Sequence, residues 1–285
     1  MKKRALLIAI NAYPDSPLSG CLNDVILLYK ILKDVYGFSE FKILDDKKAT
    51  RKNIMRGLQW LVNNLQDNDK AFWGYSGHGT QVNCTTETAT WETDRMDECI
   101  CPIDMDWDLP LRDDDINKVI MCANPNAHLL CHIDACFSGT ILKNSPTVKN
   151  GHFVKSRYMP PPLHVLLESG DMELDENLKP MTSRLRQDRL RSQSFLHNVT
   201  TQGNAVLISG SSDAQTSADA FIDGHYNGAM TYYLAQTLKE ANWNISYCDL
   251  VAKINEKLEK NGFNQTPQLE SKDELMDQLF LGGTH

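Results

Sequence analysis

The 285-residue sequence contains no apolar run approaching the roughly 18 residues that suggest a membrane-crossing helix. It has no basic excess either: 29 Lys and Arg stand against 37 Asp and Glu, a formal net charge of −8. That balance argues against nucleic acid as the main partner, because binding phosphates takes clustered cations. No pair among the eight cysteines (Cys21, Cys84, Cys99, Cys101, Cys122, Cys131, Cys136 and Cys248) has zinc-ligand spacing. A chain this long needs no disulfide staples, so most of them are expected to be reduced and buried as small hydrophobes. There is no internal repeat. Neither a Gly-x-Gly-x-x-Gly nor a Walker loop follows the first apolar run, so a nucleotide-binding reading lacks its phosphate cradle. The opening Met1-Lys2-Lys3-Arg4 and the apolar run behind it imitate a secretory leader only as far as Asn11 and fit a buried strand better. A cytoplasmic protein is expected.

What is present is an ordinary globular composition, 41% hydrophobic and 23% charged. Short apolar runs alternate with helical patterns. Strands are expected at Arg4–Asn11, Phe41–Leu44, Lys70–Tyr75, His128–Asp134 and Ala205–Ser209, with a strand-like tail from Gln268. Helices are expected at Asn23–Val35, from a Thr50 cap to about Leu65, and at Asp115–Cys122, Gly228–Glu240 and Tyr247–Lys260. Continuous apolar strands between helices signal a mostly parallel central sheet flanked by helices on both faces, an α/β three-layer sandwich. Two stretches break the rhythm. Residues 81–111 are polar and acidic; residues 143–203 are rich in proline and carry Arg184, Arg186, Arg189 and Arg191 close together. Long segments of this kind are functional or disordered, and the second is the expected exposed, cleavable linker.

In an open α/β sheet, ligands bind beyond the carboxyl ends of the strands. Two expected strands end in chemically loaded turns, Tyr75-Ser76-Gly77-His78-Gly79 and Asp134-Ala135-Cys136-Phe137-Ser138-Gly139. If those strands are neighbours, His78 and Cys136 face each other across one rim. An imidazole there takes the thiol's proton and later returns one to a leaving amine. The backbone amides of Gly79 and Cys136 are placed to hold an oxyanion. A lone cysteine at a strand end is usually inert, and a lone histidine after glycine is often only a turn residue; the pair together carries the reading.

These two turns resemble the catalytic motifs of metacaspases, although Phe137 stands where that family usually has histidine. Leu18-Ser19-Gly20-Cys21-Leu22-Asn23-Asp24 resembles the family's segment after the first strand. Ser209 to Asp219, followed by Gly228-Ala229-Met230-Thr231, resembles its second half. The resemblance implies a caspase-like sandwich and a cysteine endopeptidase, with His78, Cys136 and Gly79 in the catalytic centre. It further implies a specificity pocket of Cys21, Asp24, Ser76 and Asp134, whose carboxylates pair with a substrate Arg or Lys. Residues 1–142 and 204–285 correspond to the large and small halves around a linker where self-cleavage is expected.

The resemblance also implies calcium as an activator, with Asp97, Asp113 and Asp114 at the ligand positions and oxygen donors of the kind calcium prefers. Against it, Lys143 stands where a fourth acidic ligand belongs, and the aspartates read equally well as caps of the following helix. Protein or peptide substrates, a monomer and no membrane or nucleic-acid partner complete the expectation. The competing reading is a catalytically silent or partner-activated caspase-like module used in signalling or scaffolding.

Overall fold

A computed structural model describes residues 1–83, 96–137, 147–149, 152–162, 164–165, 172–174, 180–182, 196, 200, 203–210 and 217–284. The first apolar run is β1 (Lys3–Ala9), followed by α1 (Cys21–Lys30), β2 (Glu40–Asp45) and α2 (Arg51–Val62). α1 begins two residues earlier than expected and continues as a wider turn over Ile31–Val35. The chain then reverses at Gly37, whose φ of +67° a side chain would resist. Thr50 caps α2 by accepting the amide of Asn53 at 3.3 Å. Next come β3 (Lys70–Ser76), β4 (Gly79–Asn83), β5 (Met96–Ile100), β6 (Leu111–Arg112), α3 (Asp113–Ile120) and β7 (His128–Asp134).

The remaining strands are β8 (Thr147–Lys149), β9 (His152–Ser156), β10 (Met172–Leu174), β11 (Pro180–Thr182), β12 (Ala205–Ser209), β13 (Ala218–Ile222), β14 (His225–Gly228) and β15 (Gln268–Glu270). Between the last two run α4 (Ala229–Glu240) and α5 (Tyr247–Lys260). A six-stranded sheet in the order β15-β12-β7-β3-β1-β2 forms the centre, parallel throughout except for the edge strand β15. Successive residues of a strand face opposite ways. A Cβ on Gly57 of α2 would meet Leu6, whereas one on Gly74 would meet Leu7 and Leu28 of α1. The two helices therefore cover opposite faces, as the continuous burial of β1 requires.

The stretches expected to be irregular carry strands of their own. β4, β5 and β6 form a three-stranded sheet, and β14, β13, β9 and β8 form a four-stranded one. Both lie at the carboxyl rim, where they wall the ends of β3 and β7. Among the described residues no helix is long and apolar enough to cross a membrane. Cys21, Cys99, Cys101, Cys131 and Cys136 are buried and unbridged, while Cys122 and Cys248 are exposed. Cys84 lies outside the described residues.

Candidate active site

β3 and β7 pair with Ser76 directly opposite Asp134. Each chain runs two residues further, so His78 and Cys136 leave the sheet at the same rim. The glycines beside His78 answer to crowding: a Cβ on Gly77 would stand 2.7 Å from the hydroxyls of both Tyr13 and Tyr75. One on Gly79 would overlap the carbonyl of Cys136, which is how closely the two turns approach.

Two tyrosines grip the His78 turn. Tyr13 Oη accepts the His78 amide at 3.1 Å and donates to the Cys101 carbonyl at 2.7 Å. Tyr75 Oη donates to the His78 carbonyl at 2.7 Å. The Tyr13 ring packs 4.7 Å from the imidazole. Imidazole Nε2 lies 2.7 Å from the carbonyl of Ser16, which can only accept, so Nε2 carries the proton and Nδ1 is the basic nitrogen. Burial pushes this imidazole down to about 4, against the opposing pull of the Ser16 and Arg157 backbone. Cys136 is fully buried; burial raises its thiol to about 11, and the Ser217 amide that bonds Sγ works in the other direction. Both shifts favour the uncharged form of the group concerned.

The pocket next to them is filled by the chain itself. Arg157, wholly shielded from solvent, extends its guanidinium between α1 and the ends of β3 and β7. Nη1 donates to Ser76 Oγ at 2.8 Å and to the Asp134 carbonyl at 3.1 Å, with Asp134 Oδ2 at 3.4 Å. Nη2 donates to Asp24 Oδ2 at 2.7 Å and to Asp219 Oδ1 at 3.1 Å. Burial raises the Asp24 carboxyl to about 7, with Arg157 opposing and Asp134 adding to the shift. Cys21 is buried beside the same cation; burial drives its thiol upward and Arg157 draws it back. Asp134 is anchored from behind, where Thr231 donates to Oδ2 from its amide at 3.2 Å and its hydroxyl at 2.7 Å. With that hydroxyl proton committed, His132 Nε2 donates to Thr231 Oγ1 at 2.9 Å.

The backbone around Arg157 is as ordered as its side chain. β9 leads in antiparallel to β13, with Ser156 opposite Ala218, and the Arg157 amide then donates to the Ser217 carbonyl at 3.1 Å. The Arg157 carbonyl accepts the amides of Gly79 at 3.0 Å and Cys136 at 3.3 Å. Past it, Met159 donates to the Gly79 carbonyl at 2.9 Å. A peptide carbonyl held by two amides beside a thiol is the geometry in which an acyl transfer can start.

Cys21, Asp24, Ser76, His78, Gly79, Asp134 and Cys136 thus come together. Asp97, Asp113 and Asp114 do not. Asp97 Oδ2 pairs with Arg112 Nε at 2.6 Å, Asp113 is buried in the first turn of α3, and among the described residues no three His, Cys, Asp or Glu side chains converge as a metal ion would need. Lys143 lies outside the described residues, as do Arg184, Arg186, Arg189 and Arg191. Sequence reasoning missed Arg157 and Asp219, along with Tyr13 and the Ser16 carbonyl. The one available signal was a lone arginine between the short apolar pair Phe153-Val154 and the prolines Pro160, Pro161 and Pro162.

A parallel-stranded sandwich with a cysteine and a histidine at its carboxyl rim is the caspase-like architecture. The fold matches caspase-1 from Spodoptera frugiperda at a TM-score of 0.50 and 11% identity, over 99% of this chain and 89% of that one. It also matches protein GSU0716 from Geobacter sulfurreducens at a TM-score of 0.69 and 23% identity, each chain fully covered. Residues 3–145 match the family model "Metacaspase, peptidase C14 domain". Metacaspase-1B of Aspergillus oryzae is 31% identical over 98% of this chain and 70% of its own length. Metacaspase-1 of Saccharomyces cerevisiae is 30% identical over 95% of this chain and 66% of its own. The chain belongs to the metacaspase family and is a cysteine-type endopeptidase, with proteins as its substrate class.

Proposed function

We propose that the chain cleaves peptide bonds after Arg or Lys with Cys136 as nucleophile and His78 as acid and base, and that its own Arg157–Tyr158 bond is its first substrate. The observation that carries this reading is Arg157, whose side chain fills the acidic pocket while its carbonyl sits on the Gly79 and Cys136 amides. Three carboxylates and a serine hydroxyl around one guanidinium select a cation, and the free enzyme would take the same group from other proteins.

The steps follow from the atoms present. Cys136 Sγ attacks the Arg157 carbonyl carbon as His78 Nδ1 takes the thiol proton, and the two amides hold the oxygen that gains the electron pair. The carbon–nitrogen bond then breaks, and the nitrogen of Tyr158 leaves with the proton from His78. Water next attacks the thioester as His78 takes one of its protons. The carbon–sulfur bond breaks, Sγ recovers a proton, and Arg157 departs as a carboxylate.

The test is mass spectrometry of the purified chain beside Cys136→Ala and Arg157→Ala, with fluorogenic Arg, Lys and Asp peptides assayed alongside. A cut after Arg157 that both variants lose, together with Arg and Lys hydrolysis that Cys136→Ala abolishes, is expected. Preference for Asp would overturn the pocket assignment.

A further inference from the structure

Resting on the Arg/Lys reading above, we infer that Asp219 is a specificity-determining residue that makes the pocket prefer a guanidinium to an ammonium. Asp219 comes from β13, far in sequence from the other pocket residues, and is buried. Its carboxylate is fixed before any substrate arrives: Oδ2 accepts the Ser19 amide at 2.8 Å and Oδ1 the Gly20 amide at 2.9 Å. Gly20 permits that approach, since a Cβ there would stand 2.5 Å from Oδ1. Such double anchoring holds an acceptor at the position its ligand requires.

The geometry separates the two cations. The guanidinium reaches the pocket as a fork. Nη1 is met by Ser76 and the Asp134 carbonyl, and Nη2 by Asp24 and Asp219 at 2.7 and 3.1 Å. Nε makes no hydrogen bond, so recognition falls entirely on the two outer nitrogens. Lysine ends one bond earlier, with its single nitrogen where arginine has Cζ. As a point donor it cannot serve both ends of the fork at once. Asp24 bonds Ser76 as well as the cation, at 2.7 Å, and so remains useful to either side chain. Asp219 meets only the outer edge of Nη2, which lysine lacks. Removing its charge therefore costs an arginine substrate more than a lysine one.

The experiment compares kcat/KM for two peptides that differ only in Arg or Lys before the scissile bond, using the full chain carrying Arg157→Ala so that the pocket is free. The ratio is internal to each preparation and does not depend on the fraction folded. The parent is expected to favour Arg by about tenfold or more, and Asp219→Asn to shrink that ratio by about tenfold, mainly through the Arg peptide. An unchanged ratio overturns the inference and leaves the Arg/Lys reading standing; a parent that cleaves neither peptide overturns both. Should Asp219→Asn fail to fold, self-cleavage decides. Arg157→Lys in the otherwise unaltered chain is expected to be cut about tenfold more slowly than Arg157, and equal rates overturn the inference.

Discussion

Arg157 and Asp24 form an ion pair of 2.7 Å in which neither side chain has any exposure to solvent. Asp134 and Asp219 lie on the same guanidinium at 3.4 and 3.1 Å, so the uncut chain seals its pocket with charge. Breaking a buried pair by removing one partner leaves the other uncompensated and costs about 3–5 kcal/mol. Asp24→Ala is expected to lower the stability of the uncleavable Cys136→Ala chain by that amount in urea. The double variant Asp24→Ala/Arg157→Ala should fall short of the sum of the single effects by more than about 1 kcal/mol. Additive losses would mean that the pair is a contact without energetic coupling.

Stability should also fall with acid in a defined window. Burial holds His78, His128 and His132 down to about 4 each, against about 6.5 in an unfolded chain. Between those values each takes up a proton on unfolding, so its contribution is complete above about pH 6.5 and lost as pH falls toward 4. Asp24 has the opposite sign. Burial raises its carboxyl while Arg157 opposes, so its contribution offsets part of this loss as pH falls. Three imidazoles outweigh one carboxyl, so stability should fall as pH drops from about 6.5 toward 5. Urea melts of the Cys136→Ala chain from pH 5 to 6.5 check this, and a flat or inverted profile refutes it.

Calcium is expected to be irrelevant to activity. Arg112 already neutralises Asp97 at 2.6 Å from its own helix start. Lys143, by its place in the sequence, adds a further cation where a ligand was expected. Arg-peptide hydrolysis should agree within about twofold in chelator and in millimolar calcium, since an arginine on a carboxylate leaves little for a divalent ion to gain. Activation of tenfold or more by calcium would refute this.

The central sheet was legible because parallel strands buried on both faces read as continuous apolar runs, and all five expected core strands lie where those runs are. The turns at His78 and Cys136 were legible because they follow two of those strands directly, and the Ser76–Asp134 register then follows from the pairing of β3 with β7. The smaller sheets were not. β5, β8 and β9 are short and partly polar, and β9 is completed by β13, distant in sequence, so local periodicity is silent on them. Asp219 was hidden for the same reason: its role depends on β13 reaching Ser19 and Gly20, some two hundred residues away. Arg157 was overlooked because four arginines further along stood out more, and nothing local distinguishes a seated arginine from a solvated one.

Seating Arg157 should leave a chemical mark on Cys136. In the uncut chain burial holds this thiol at about 11, so at pH 8 only about one molecule in a thousand is the thiolate that reacts with iodoacetamide. Arg157→Ala removes the side chain that anchors the segment 152–159, and access of water to the rim should return the thiol toward the ordinary value near 8.5. The thiolate fraction at pH 8 then rises by about two orders of magnitude. Labelling of Cys136, followed by peptide mapping to separate it from the exposed Cys122 and Cys248, should accelerate accordingly. Those two cysteines serve as internal controls, because neither touches the pocket and their rates should not change. Equal Cys136 labelling in both chains would mean that the segment stays closed without its arginine. The seal would then reside in the β9–β13 strand pairing rather than in the buried charges.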